Sequence, residues 1–125
     1  MDEEVAVMAD ADRIEQVVSN YVNNAAKYAP PERPIVVRLE IEDGVARLSV
    51  RDEGPGLAPR EQERIWDRFY REASNEKQNA PGASLGLGLY ICRTIIEQHG
   101  GQVGVVSQEG QGAAFWFTLP LANAQ

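Results

Sequence analysis

Asn20, Asn24 and Lys27 stand three and four residues apart in the stretch Asn-Tyr-Val-Asn-Asn-Ala-Ala-Lys-Tyr, residues 20–28. At about 100° per residue they fall within a ~60° arc of one helix. Ile14, Val17, Val18, Tyr21 and Ala25 project to a neighbouring face and would seat that helix on a core. Two amides and an amine at the edge of an apolar stripe suit an anion and its metal. The Asn24 carbonyl oxygen matches Mg²⁺, and the Lys27 ammonium is a point charge that matches phosphate. The same spacing also describes a polar helix edge with two incidental asparagines, and the stretch alone does not separate the two.

Asp52 begins the run Asp-Glu-Gly-Pro-Gly, with Pro55 and Gly56 at the two central positions of a type II turn. A carboxylate at the mouth of such a turn can accept the exocyclic amine of adenine. Guanine would present a carbonyl there and leave two acceptors opposed. A plain surface turn is the other reading. Further on, Leu85-Gly86-Leu87-Gly88-Leu89 leads into an apolar helical pattern. Glycines at a helix start let phosphate oxygens approach bare N–H groups, aided by the helix dipole, although glycines that permit close helix packing fit almost as well. The run is neither a dinucleotide fingerprint nor a Walker loop: no strand precedes it, Ile91 takes the third glycine position, and no Gly-Lys-Ser/Thr is present. Arg68, Phe69, Tyr70 and Arg71 precede a polar loop. An arginine there could reach a terminal phosphate, or Trp66 and Phe69 belong to the core and both arginines to solvent.

The elements that must hold these residues follow from periodicity and punctuation. Val5 to Met8 reads as a short strand, and Asp10 or Asp12 caps a helix that runs to about Tyr28 and stops at Pro30-Pro31. Residues 35–41 and 45–50 alternate in period two around Asp43-Gly44, a strong hairpin signal. A short helix is expected over Pro59 to Ile65. Residues 71–83 are polar or small without a period, and a loop that long inside a compact domain is usually functional. A helix from Gly86 through Glu97 closes at Gly100-Gly101, and strands Val103 to Ser107 and Ala113 to Leu119 follow. This order predicts one α+β domain over residues 1–125, a two-layer sandwich.

A net charge of -7 in 125 residues argues against nucleic acid as the main partner. No apolar run approaches the ~20 residues of a membrane span, and Met1-Asp2-Glu3-Glu4 is too acidic for a signal peptide. The lone Cys92 forms no internal disulfide, and with one histidine no zinc site assembles. Cys92 is expected in the core, His99 as a helix C-cap, and the cytoplasm as the compartment.

Taken in order, the motifs resemble the catalytic and ATP-binding domain of two-component sensor histidine kinases over nearly the whole chain. Residues 20–28 look like the N box, 52–56 like the first glycine box, Trp66-Asp67-Arg68-Phe69 like the F box, and Gly86-Leu87-Gly88-Leu89 like the second glycine box. Glu97-Gln98-His99-Gly100-Gly101 and Phe115 to Pro120 match the family's C-terminal end. The resemblance implies the Bergerat sandwich of the gyrase, chaperone and histidine-kinase superfamily, with a mixed sheet and a mobile ATP lid over about 70–84. It implies ATP and Mg²⁺ as cofactors. Asn24 would bind the metal, Lys27 and Tyr28 would contact phosphates or ribose, and Asp52 would read adenine. Gly54, Gly56, Gly86 and Gly88 would shape the pocket, with Leu87, Leu89, Arg68, Phe69 and Arg71 around the nucleotide. Asn20, Asn24 and Lys27 would form the catalytic set. Ser84 stands where many members carry another glycine, and Ala113-Ala114 where a Ser-Thr pair is frequent.

The family's phospho-accepting histidine lies on a helical dimerisation domain, and nothing here looks like it. The resemblance therefore implies a domain from a longer, membrane-anchored kinase, itself without membrane contact, with a response regulator downstream. Hydrolases of the superfamily carry Glu at the position of Asn20 as general base, and an amide cannot take that proton. The alternatives are a serine-kinase relative of the anti-sigma type, an ATP hydrolase of the same superfamily and a nucleotide-sensing module.

Overall fold

The computed structural model describes residues 6–67, 88–108 and 110–122, the side chain of Tyr28 excepted. In chain order the elements are α1 (Ala11–Tyr28), β1 (Val36–Glu42), β2 (Val45–Asp52), α2 (Pro59–Arg64), α3 (Gly88–Gln98), β3 (Val103–Gln108) and β4 (Gly112–Pro120). The strands form one sheet in the order β1-β2-β4-β3, and the helices lie over one face of it.

Local chemistry sets the boundaries. The Asp10 carboxylate accepts from the N–H groups of Asp12 and Arg13 at 3.1 and 3.3 Å, so Asp10 is the cap of α1. The helix ends where Ala29, preceding Pro30, turns extended with ψ 146°. Asp43 and Gly44 have φ of 48° and 82°, as a two-residue type I′ hairpin requires. They set the β1–β2 register from Val36 opposite Arg51 to Glu42 opposite Val45.

That register, continued through β4, puts Ala46, Leu48, Val50 and Asp52 on the helix side of β2, opposite Leu119, Phe117, Phe115 and Ala113. Against this face α1 buries Val17, Tyr21 and Ala25, and α3 buries Cys92, Ile95 and Ile96. The rings of Tyr21, Trp66, Phe115 and Phe117 meet at centroid distances of 5.7–6.5 Å in tilted or edge-on pairs. Trp66 is core, one of the two readings open from sequence.

Two expectations need correction. Every ladder among the described residues is antiparallel, so the parallel pairing that a mixed sheet needs is not among them. The polypeptide returns to β4 beside β2 from the opposite direction after α3 and β3. The strand expected over Val5 to Met8 is reduced, among the described residues, to a single antiparallel bridge between Val7 and Leu121, backed by the Ala122 N–H donating to the Ala6 carbonyl at 2.8 Å. Asp10 caps α1 immediately afterwards, so the pairing does not continue past Met8, and Val5 lies outside the described residues.

Candidate functional site

Contacts along the two long helices fix their mutual direction. The Asp10 N–H at the start of α1 donates to His99 Nε2 just past the end of α3, at 3.1 Å. Midway, the Asn20 amide donates to the Cys92 sulfur at 3.6 Å. The helices are therefore antiparallel, and the second half of α1, with Asn24 and Lys27, lies level with the start of α3 at Gly88. The sheet follows the same direction: the Tyr21 hydroxyl donates to the Trp116 carbonyl at 3.1 Å, while Val7 meets Leu121. One further turn of α1 then reaches the end of the sheet where Asp52 pairs with Ala113. Asn24, Lys27, Asp52 and Gly88 thus share one end of the sandwich, although 64 positions of sequence separate the first from the last.

Asn20, Asn24 and Lys27 are each half-buried, on the border between the core face of α1 and solvent. They differ in their engagement. Asn20 is held by Cys92, and Lys27 also has a partner. The Asn24 side-chain amide makes no hydrogen bond among the described residues, which leaves its carbonyl oxygen available to a ligand.

Asp52 is 4% exposed. Its carboxylate accepts from the Gly54 N–H at 2.8 Å and from the Ala113 N–H. Burial raises its proton affinity above the ordinary carboxylate value, and the two backbone donors partly offset that. A carboxylate has about four acceptor positions, so capacity remains for a further donor. The turn behind it is fixed by packing: Gly56 has φ +75°, and a Cβ there would sit 2.3 Å from the Gln108 carbonyl oxygen. The Leu57 N–H donates to Ser107 Oγ at 2.8 Å and the Gly110 N–H to the Pro55 carbonyl at 2.6 Å. Glu53 pairs with Arg33 at 3.0 Å, both exposed.

Gly88 opens α3 and is exposed. A Cβ built on it meets no described atom within 4 Å, so among the described residues close helix packing does not explain this glycine. Leu89, the next residue, packs at the border of the core. Gly86, Leu87, Arg68, Phe69 and Arg71, the lid range 70–84 with its Ser84, and the Tyr28 side chain lie outside the described residues.

Sequence reasoning missed Cys92 as the partner of Asn20. Burial pushes its thiol up to about 11, against a lowering by the Asn20 amide, which holds the sulfur protonated. His99 is a connector as well as a cap: Nδ1 lies 2.8 Å from the Ile95 carbonyl while Nε2 takes the Asp10 N–H. Both ring nitrogens are committed to structure.

Over residues 9–123 the chain matches a known family, that of histidine kinase-, DNA gyrase B- and HSP90-like ATPases. The chain belongs to that family. Within it, the chain is the catalytic ATP-binding domain of a histidine kinase. It is 37% identical over 111 residues to the sensor protein SrrB of Staphylococcus aureus, which covers 89% of this chain and 19% of SrrB. The chain thus spans about a fifth of the length of that curated relative. Among solved structures it superposes on full-length ShkA in complex with AMPPNP, with TM-score 0.81 and 34% identity, over 95% of this chain and 24% of ShkA. The mycobacterial sensor histidine kinase MprB gives 0.77 and 34%, over 93% of this chain and 75% of that one. A nucleotide-free catalytic domain of the histidine kinase ThkA gives 0.81 and 32%, over 97% and 76%. No helix among the described residues is long and apolar enough to cross a membrane.

Proposed function

We propose that this chain binds Mg-ATP at the end of the sandwich shared by Asn24, Asp52 and Gly88, and passes the γ-phosphate to a histidine on a helical dimerisation domain. A response regulator would take the phosphate next, as the likeness to sensor kinases supports. The observation that supports the reading is the Asn24 side-chain amide, half-buried and without a partner among the described residues, level with an α3 start at the exposed Gly88. Asp52, at the same end, supplies the acceptor for the adenine amine.

Among the described residues no group of three or more His, Cys, Asp or Glu could hold a metal. That fits Mg²⁺, which needs no protein cage and takes one or two protein oxygens together with phosphates and water. Asn24 would hold it through its carbonyl oxygen, and the ion would neutralise charge on the triphosphate. The chain's own residues do the rest. Lys27 attracts and orients the phosphates, the α3 N-terminus receives anionic oxygens, and Asp52 fixes the base. In the transfer, an imidazole nitrogen of the acceptor forms a bond to the γ-phosphorus. The bond from that phosphorus to the β–γ bridging oxygen breaks, and ADP leaves with the electron pair. Asn20 offers no base for water, its amide being turned to Cys92, which favours transfer over hydrolysis.

Incubation with γ-labelled ATP, alone and with the dimerisation domain of its parent kinase, tests the proposal. Label is expected on that domain and not on the isolated chain, and it is expected to be acid-labile, as phosphohistidine is. Acid-stable label would point to the serine-kinase reading. Brisk phosphate release without a partner would point to a hydrolase.

A further inference from the structure

Strand β1 is the outermost strand of the sheet, and every one of its residues is exposed. Val37, Leu39 and Ile41 lie opposite Val50, Leu48 and Ala46, on the core side of the sheet, yet they remain 51%, 52% and 51% exposed. The apolar face of the sheet therefore continues one strand beyond its cover. The hairpin also settles where the main chain points. A two-residue turn makes Glu42 and Val45 a hydrogen-bonded pair, and alternation from there directs Arg38 and Glu40 toward β2. The N–H and C=O groups of Val37, Leu39 and Ile41 are left facing the outer edge, where no described residue pairs with them.

We propose that this edge is an interface between two copies of the chain, with β1 pairing antiparallel to β1 about a twofold axis through Leu39. Charge complementarity selects that occupant and that register. With the axis at Leu39, Arg38 of each copy stands opposite Glu40 of the other. Leu39 meets Leu39, and Val37 meets Ile41. Axes through Arg38 or Glu40 put like charges face to face, which cross-strand pairs disfavour. The Leu39 register forms about six main-chain hydrogen bonds, two for each opposed pair among Val37, Leu39 and Ile41. It also brings the six exposed apolar side chains of the two copies into one row that extends both cores. Exposed charged residues on an edge strand ordinarily discourage pairing; here the same two charges are self-complementary. An interface of one strand pair is small, so the dimer is expected to be concentration-dependent, forming at about 10–100 µM.

Sedimentation of the 125-residue chain without nucleotide, with charge and cysteine variants, tests this independently of ATP binding. Arg38→Glu and Glu40→Arg are each expected to raise the dimer dissociation constant by about tenfold or more, since each places two like-charged pairs across the axis. The double exchange is expected to restore it. Leu39→Cys is expected to form a covalent dimer on mild oxidation, because hydrogen-bonded antiparallel pairs sit about 5.5 Å apart between Cα atoms, within disulfide reach. Val37→Cys alone is not, its mate lying ~13 Å along the strand. A chain that stays monomeric to about 1 mM, a dimer indifferent to Arg38→Glu, or equal cross-linking at positions 37 and 39 would overturn the proposal.

Discussion

Asp52 stands where burial works against its charge. At 4% exposure the carboxylate loses hydration, and its raised proton affinity registers that cost. Its folded pKa lies above the ordinary value, so its contribution to stability is largest below the unfolded pKa and is lost as pH rises through the folded one. The parent is therefore expected to gain stability relative to Asp52→Ala between pH 7 and pH 4.5, which chemical denaturation at the two values would show. Binding is expected to move the other way. If Asp52 reads adenine as proposed, its removal leaves the adenine amine unpaired, and ATP affinity is expected to fall by roughly 1–3 kcal/mol, about fivefold to 150-fold. Calorimetry giving equal ATP affinity in both forms would remove the adenine assignment. Asn24→Ala differs in kind, because the Asn24 side chain makes no hydrogen bond among the described residues. It is expected to weaken the Mg²⁺ dependence of triphosphate binding and to spare adenosine. An equal fall for adenosine would make Asn24 structural.

At the scale of elements, the His99 ring ties α1 to α3 at the end of the sandwich away from Asn24 and Gly88. Its two hydrogen bonds hold the Asp10 N–H and the Ile95 carbonyl. His99→Ala is expected to lower unfolding stability by about 1–3 kcal/mol while ATP affinity stays within about twofold; a large loss of affinity in calorimetry would mean that the two helix ends are coupled. The local elements were legible in the sequence because local chemistry sets them. Asp10 caps, Pro30 stops, and Asp43-Gly44 turns, each within a few residues of what it determines. The stripe of Asn20, Asn24 and Lys27 was legible for the same reason, lying within about two turns of one helix. Contacts across long separations were not. No local signal pairs Asn20 with Cys92 or Asp10 with His99, and a lone cysteine in an apolar helix reads as packing alone. The β1 edge shows the limit from the other side: period-two alternation announces a strand with one apolar face, but only the sheet order reveals that nothing described covers it.

For the molecule as a whole, the centre of the sandwich contains two groups that folding keeps protonated. Burial pushes the Cys92 thiol up to about 11 from 9.0, and raises the Tyr21 phenol as well. Each joins two elements: Cys92 of α3 meets Asn20 of α1, and Tyr21 of α1 donates to the Trp116 carbonyl in β4. Burial disfavours the ionised form of both in the folded chain, so their titration is linked to unfolding. The sign follows from proton counting. Above about pH 9 the unfolded chain releases the thiol proton while the folded chain retains it, so the unfolded state binds fewer protons and stability falls as pH rises. A shift of that size corresponds to about 2–3 kcal/mol lost between about pH 9 and pH 11. Cys92→Ala starts less stable at pH 7, since it leaves a cavity and strands the Asn20 amide. Its stability is nevertheless expected to decline less steeply over that interval than the parent's. Urea titrations of both forms at pH 7, 9 and 10.5 read the difference in slope. Parallel declines would mean that the thiol ionises in the folded chain at its ordinary value, and that the Asn20–Cys92 contact lies open to water.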